Sequence, residues 1–187
     1  MMRLIFALLF ASVMLSCSSG SDDQTKIFEA LQKLEANELL VDIEIEGKKF
    51  YPLDLPFDGT VAVSDVSVFL NLRNPEGGNV VISIEDQNWF NSERKKIEFE
   101  DSLPISGQLQ GSFLIGKRKG NAGEGYLLKE GFFEIVQFNQ EACIVSVHGI
   151  LRDPFNETIT KPINGFIVWK KPERLSRTEE LGKYLFN

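Results

Sequence analysis

The chain has 187 residues, 43% hydrophobic and 25% charged, enough for one domain with a sizeable core. Its formal net charge is −7, with 27 acidic residues against 20 basic ones. That balance excludes nucleic acid as a partner, because phosphates demand clustered Lys and Arg, and it argues against anionic membrane surfaces.

The first 23 residues form a unit of their own. Arg3 is the only charge before residue 22, and Leu4–Leu15 (LIFALLFASVML) is a continuous apolar run of twelve. A bilayer-spanning helix needs roughly 20 apolar residues, so the run reads as a cleavable secretory leader rather than a retained anchor. Ser16 places a small side chain directly before Cys17, and Ser18-Ser19-Gly20-Ser21-Asp22-Asp23 follows. This pattern resembles a bacterial lipoprotein signal, in which the cysteine thiol is alkylated with diacylglycerol before cleavage. Met14 and Leu15 depart from the usual box, the hydrophobic residue lying one place closer to the cysteine. The alternative is an ordinary secreted protein cut near Ala11 or Ser16. On the lipoprotein reading, residues 1–16 are signal peptide, Cys17 carries the lipid, and residues 17–23 form a flexible tether reaching about 15 Å.

A short amphipathic helix is predicted over 24–37, where Ile27, Ala30, Leu31 and Leu34 recur at helical spacing and Asn37 closes it. From residue 39 the period changes to two. Val41, Ile43 and Ile45 alternate with Asp42, Glu44 and Glu46. The same alternation recurs at 66–72, 80–84, 97–99 and 109–115, and three longer runs rich in Phe, Ile and Val occupy 131–138, 141–152 and 158–169. Turn chemistry separates them at 47–49, 74–79, 139–141 and 152–154, and the Gly-rich run 116–125 (GKRKGNAGEG) reads as the longest flexible connector. Many short strands with no long helix between them imply antiparallel pairing. We therefore expect a mainly β protein, a single antiparallel β-sandwich or partly closed β-barrel spanning 24–187. A terminal helix, capped at Ser176 or Thr178, is predicted within 173–187.

The leader, the Ser/Asp tether and an acidic β-rich domain of this size together resemble the small cell-envelope lipoproteins of Bacteroidota. The specific part of that resemblance covers about 23 residues and transfers no functional residue beyond Cys17. It implies residence in the cell envelope as an outer-membrane lipoprotein, on the periplasmic face or the cell surface. The acidic pair Asp22-Asp23 is similar to the export signal of surface-displayed members, although a generic linker reads equally well. Asp101-Ser102-Leu103 resembles the three-residue O-glycosylation site of secreted proteins in the same group, with Ser102 as acceptor.

Chemistry is sparse. With Cys17 modified, Cys143 has no partner for an intramolecular disulfide, and its setting in Ala142-Cys143-Ile144-Val145 reads as a small buried hydrophobe. His148, the only histidine, lies five residues on, which in a strand is the opposite face and counts against a Cys–His pair. One histidine and one spare cysteine exclude the usual zinc sets, and Asp54-x-x-x-Asp58-Gly59, the nearest approach to a calcium loop, otherwise reads as a turn. No metal or cofactor is expected. No Gly-x-Ser-x-Gly elbow is present, and the acids Glu85, Asp86, Glu98, Glu100 and Asp101 could pair for glycoside hydrolysis only if the fold gathered them. Asp86-Gln87-Asn88-Trp89-Phe90 is the binding candidate: Trp89 and Phe90 offer rings for stacking on a sugar, and Asn88 and Asp86 offer hydrogen bonds, unless the aromatics cap the core. Lys117-Arg118-Lys119 reads as a solvated loop tip. The expected role is a non-catalytic, lipid-anchored module held in the membrane through acylated Cys17 and binding an envelope protein or glycan. The alternatives are a small lipid-anchored hydrolase of envelope polysaccharide, or an assembly accessory of an outer-membrane complex.

Overall fold

The computed structural model describes residues 19–87, 89, 95–106, 109–120, 122–172 and 175–176. A helix, α1 (Ser19–Lys33), precedes twelve strands: β1 (Leu39–Ile45), β2 (Lys48–Lys49), β3 (Asp58–Ser64), β4 (Ser67–Arg73), β5 (Asn79–Glu85), β6 (Lys95–Glu100), β7 (Leu103–Pro104), β8 (Gly111–Lys119), β9 (Ala122–Phe138), β10 (Ala142–Arg152), β11 (Thr160–Lys170) and β12 (Leu175–Ser176). They form one sheet whose main path runs β12-β3-β4-β5-β8-β9-β10-β11-β1-β2, with β6 pairing on β9 and β7 on β6, antiparallel throughout except for the short β12–β3 pair. The sheet curls into a half-barrel, the partly closed barrel of the two expected solutions. The seventeen-residue β9 is the branch point: its first half pairs with β8, its second half with β6, and β10 follows it along the other edge.

Alternation builds the concave core. Val41, Ile43 and Ile45 of β1 point inward with Val61 and Val63 of β3, Phe113 and Ile115 of β8, Phe133 of β9, and Ile167 and Trp169 of β11. In a sheet of this curvature the interior is just wide enough for side chains to fill. The 50–57 loop covers part of the open side. Tyr51 meets Phe50 and Phe57 edge-on, and its hydroxyl donates to the carbonyls of Asn79 and Gly116. Burial holds the Tyr51 phenol far above its ordinary pKa. Trp169 lies so close to the backbone of Gly59 that a Cβ there would meet its ring at 2.6 Å, so β11 touches β3 across the gap.

On the convex side α1 places Ile27, Ala30, Leu31 and Leu34 over Phe166, Val168 and Leu40. The helix begins at Ser19, within the predicted tether, and ends at Lys33 instead of residue 37. At its exit Lys170 Nζ donates to the Leu34 carbonyl at 2.6 Å, and Asn37 takes a left-handed conformation, φ 67°. Asn37 also accepts the Trp169 indole N–H through its carbonyl and its side-chain oxygen.

Three further expectations are corrected. The run 58–64 is a strand although its Asp58-Gly59 start reads as a turn. The Gly-rich run 116–125 is the β8–β9 hairpin, with its bend at Gly120. Leu175–Ser176, inside the predicted terminal helix, pairs with Ala62–Val63 of β3, whose edge would otherwise leave backbone groups unpaired; the rest of that helix lies outside the described residues.

Candidate functional site

The sheet positions a site on its convex face. Its register sets Glu98, Phe132, His148, Asn164, Glu44 and Lys49 side by side across β6, β9, β10, β11, β1 and β2. These are the outward members of strands whose inward members form the core, so the alternation that buries Val147 exposes His148. Beside this rung lies a depression of about 430 Å³, lined by Glu44, Glu130, His148, Ile150, Ile163 and Asn164, with Pro162 and three glycines.

Glycine makes the hollow. Gly131 and Gly149 pair across β9 and β10, at φ 104° and 155°. A Cβ on Gly149 would lie 2.0 Å from the Glu130 carbonyl oxygen, and one on Gly131 would lie 2.2 Å from that of His148. Only residues without a side chain let the two strands approach here while the sheet bends. The floor is therefore backbone with Ile150, Pro162 and Ile163 around it, and the polar groups stand at the rim.

The rim is tied in place. His148 Nδ1 lies 3.2 Å from Asn164 Oδ1, and the imidazole packs against Phe132 with centroids 6.2 Å apart. Lys96 sits 4.2 Å above the Phe132 ring and pairs with Glu98. Lys49 bridges Asp42 and Glu44, its contact with Glu44 being 2.9 Å. The Lys49 hydrogen bond, reinforced by its charge, holds Glu44 below the usual carboxylate pKa. Burial alone would lower Lys49, but its hydrogen bonds and charge pairing with Asp42 and Glu44 raise it on balance. Glu44 is thus an ionised acceptor at neutral pH. The second acid, Glu130, pairs with Lys129 at 3.6 Å. Three strand spacings and a two-residue step along β9 separate Glu44 from Glu130, about 16 Å at the backbone, and each carboxylate is tied to its own lysine, Lys49 or Lys129, whereas the two carboxyl groups of a glycosidase face each other roughly 5–9.5 Å apart.

The sequence-predicted residues fall elsewhere. Trp89 has 0% exposure, its indole N–H donates to the Ser64 carbonyl at 2.9 Å, and it packs edge-on to Phe138. It caps the core and offers no ring for stacking, its indole N–H satisfied by a carbonyl at the end of β3. Asn88 and Phe90 lie outside the described residues, as does Cys17. Asp86 is half-buried and lines a shallow hollow with Phe69, Ser83 and Gln87. Asp101 and Ser102 are the two left-handed residues of the β6–β7 turn (φ 49° and 69°), and the Ser102 hydroxyl is enclosed with no hydrogen-bond partner. A modifying enzyme would reach that oxygen only with the turn opened.

Among the paired-acid candidates, Glu85 on β5 is set apart from Glu98 and Glu100, which share the outward face of β6, where Glu98 is paired with Lys96. Asp54 and Asp58 are exposed beside a groove near the end of α1, and no cluster of three metal-ligating side chains occurs among the described residues. Lys117 is no solvated tip: it donates to the Phe50 carbonyl and lies 4.1 Å over the Phe50 ring. Cys143 is buried in the core, facing away from His148. Sequence reasoning passed over Glu44, Glu130 and Asn164. The signal available was the isolated glycines 131, 149 and 165 within apolar strand runs, which mark close backbone approach. No helix among the described residues is long and apolar enough to cross a membrane. Compared with family models, curated proteins and solved structures, the chain finds no match.

Proposed function

We propose that this protein is a lipid-anchored, non-catalytic module of the cell envelope that binds a glycan in the depression on its convex face. The observation that carries this reading is the lining of the hollow, an apolar and backbone floor ringed by an imidazole, an amide and two carboxylates. A saccharide presents the matching surface, C–H faces flanked by hydroxyls that both donate and accept. A protein partner would call for a desolvated apolar centre instead, and the interior, filled by side chains, leaves no lumen for an enclosed ligand. The leader and Cys17 support the anchored location.

The hydrolase reading draws its support from Glu44 and Glu130 facing one hollow. Against it stands their separation, since glycoside cleavage needs an acid and a nucleophile or base flanking one scissile bond. The test is calorimetric titration of envelope polysaccharide fragments into the protein, with Asn164→Ala and Glu44→Ala in parallel and the sugar products analysed. Binding without cleavage, weakened about tenfold or more in either variant, is the expected result. Equal affinity in all three proteins, or release of shorter fragments, would refute the proposal.

A further inference from the structure

Phe155 is the most exposed large hydrophobic residue described, at 96%. It does not sit on a loose loop. Asp153 Oδ1 accepts the backbone N–H groups of Phe155, at 2.7 Å, and Asn156, at 3.2 Å. Asn156 Oδ1 accepts the N–H and hydroxyl of Thr158, and the Ile159 N–H returns to the Asn156 carbonyl. Local side-chain bonds of this kind fix a turn without help from the core. An aromatic ring displayed in water by a built turn needs a reason, and the position of the turn suggests one.

The turn joins the end of β10 to the start of β11, and α1 runs parallel to β11 on the same convex face. At the helix C-terminus Lys170, the last residue of β11, caps Leu34; midway, Ala30 packs on Phe166 and Val168; nearer the start, the charge of Lys26 acts on Glu44, whose partner in β11 is Asn164. Extending the helix from Lys26 back to Ser19 adds about 10 Å at 1.5 Å per residue, which carries its start toward Thr160 and the Phe155 turn. Only Ser18 separates Ser19 from Cys17, a span of at most about 7 Å. Whatever membrane Cys17 enters is therefore met first by this end of the molecule.

We infer that the 153–159 turn is a membrane-contact point, with Phe155 entering the interfacial layer of the phospholipid bilayer that holds the anchor. The proposal rests on lipidation of Cys17 and adds the orientation of the domain. Charge does not drive the contact: Lys117, Arg118, Arg152 and Lys161 near this end are offset by Glu46, Glu76, Glu124, Asp153 and Glu157, with Arg152–Glu157 and Lys161–Glu46 directly paired. Zwitterionic and anionic bilayers should serve equally. The glycan depression lies on the flank of the same face, between α1 and the turn, so the contact would hold it near the bilayer surface.

The native indoles make the test clean, because Trp89 and Trp169 are both buried and out of reach of a lipid-borne quencher. Lipidated protein carrying Phe155→Trp, with its whole chain from Cys17 onward, is reconstituted into phosphatidylcholine vesicles containing brominated lipid, with and without phosphatidylglycerol. Wild type and Val66→Trp, at the β3–β4 turn, serve as controls, and intact mass on each sample reports acylation of Cys17. Loss of about half the emission from residue 155, at the 5–10 Å depth of interfacial side chains, with neither control quenched, is the expected result. Acylated protein whose residue 155 is unquenched, or is quenched no more than residue 66, overturns the orientation while leaving the anchor intact. Unacylated Cys17 overturns both readings. A shift at residue 155 produced by vesicle-free envelope extract but not by vesicles would assign the turn to a protein and also overturn the proposal.

Discussion

Replacing Gly149 with Ala should damage fold and site together. Gly149 sits at φ 155°, opposite Gly131 in the β9–β10 pair, and the new methyl carbon would lie 2.0 Å from the Glu130 carbonyl oxygen and 3.0 Å from Gly131 Cα. Holding a non-glycine residue in that backbone region costs about 1–3 kcal/mol. Relieving the contact means parting β9 from β10 and weakening neighbouring ladder hydrogen bonds, each worth about 1 kcal/mol. The total is about 3–5 kcal/mol, or a fall in Tm of roughly 6–20 °C for a chain of this size. Thermal melting followed by circular dichroism measures it. Gly123→Ala is the matched control, since nothing lies within 4 Å of its Cβ, and it should stay within about 0.5 kcal/mol of wild type. A Gly149→Ala protein melting within about 2 °C of wild type would refute the argument that close approach at this pair shapes the depression.

Trp89→Ala should lose about 3–5 kcal/mol in denaturant unfolding, because it empties a fully buried site and orphans the Ser64 carbonyl; Trp89→Phe, which keeps most of the volume, should lose clearly less. Equal losses in both would mean the indole N–H matters more than packing. Glu44 contributes through a lowered pKa, so its stabilisation is present above the ordinary carboxylate value of 4.5 and disappears as the pH falls through the lowered one. The difference in Tm between wild type and Glu44→Gln should therefore be constant from neutral pH down to about 5 and shrink below about 4; a difference that grows on acidification would reverse the assigned direction.

Period-two alternation made β1, β4, β5, β6, β10 and β11 legible, because each has one face in the core and one in water. It failed where that contrast was missing. β3 offers only Val61 and Val63 after a turn-like Asp58-Gly59, and the β8–β9 hairpin is written in glycine and charge, with Gly116 and Gly125 paired in the ladder. The Trp89 reading failed for a different reason: composition shows that an aromatic is flanked by polar residues, but not that a carbonyl two strands away accepts its N–H. The depression depends on register across four strands, β9, β10, β11 and β1. Glu44, Asn164 and His148 are up to 120 residues apart in sequence and meet only through pairing, so no local pattern could place them together.

Anchorage through Cys17 underlies both the proposed location and the orientation of the domain, and intact mass spectrometry of the protein extracted from membranes in detergent tests it most directly. We expect the mass of residues 17–187 plus a diacylglyceryl group with an additional acyl chain, and a Cys17→Ser variant that stays uncleaved and carries no lipid. A cleaved chain with an unmodified thiol, recovered in the aqueous fraction, would contradict it.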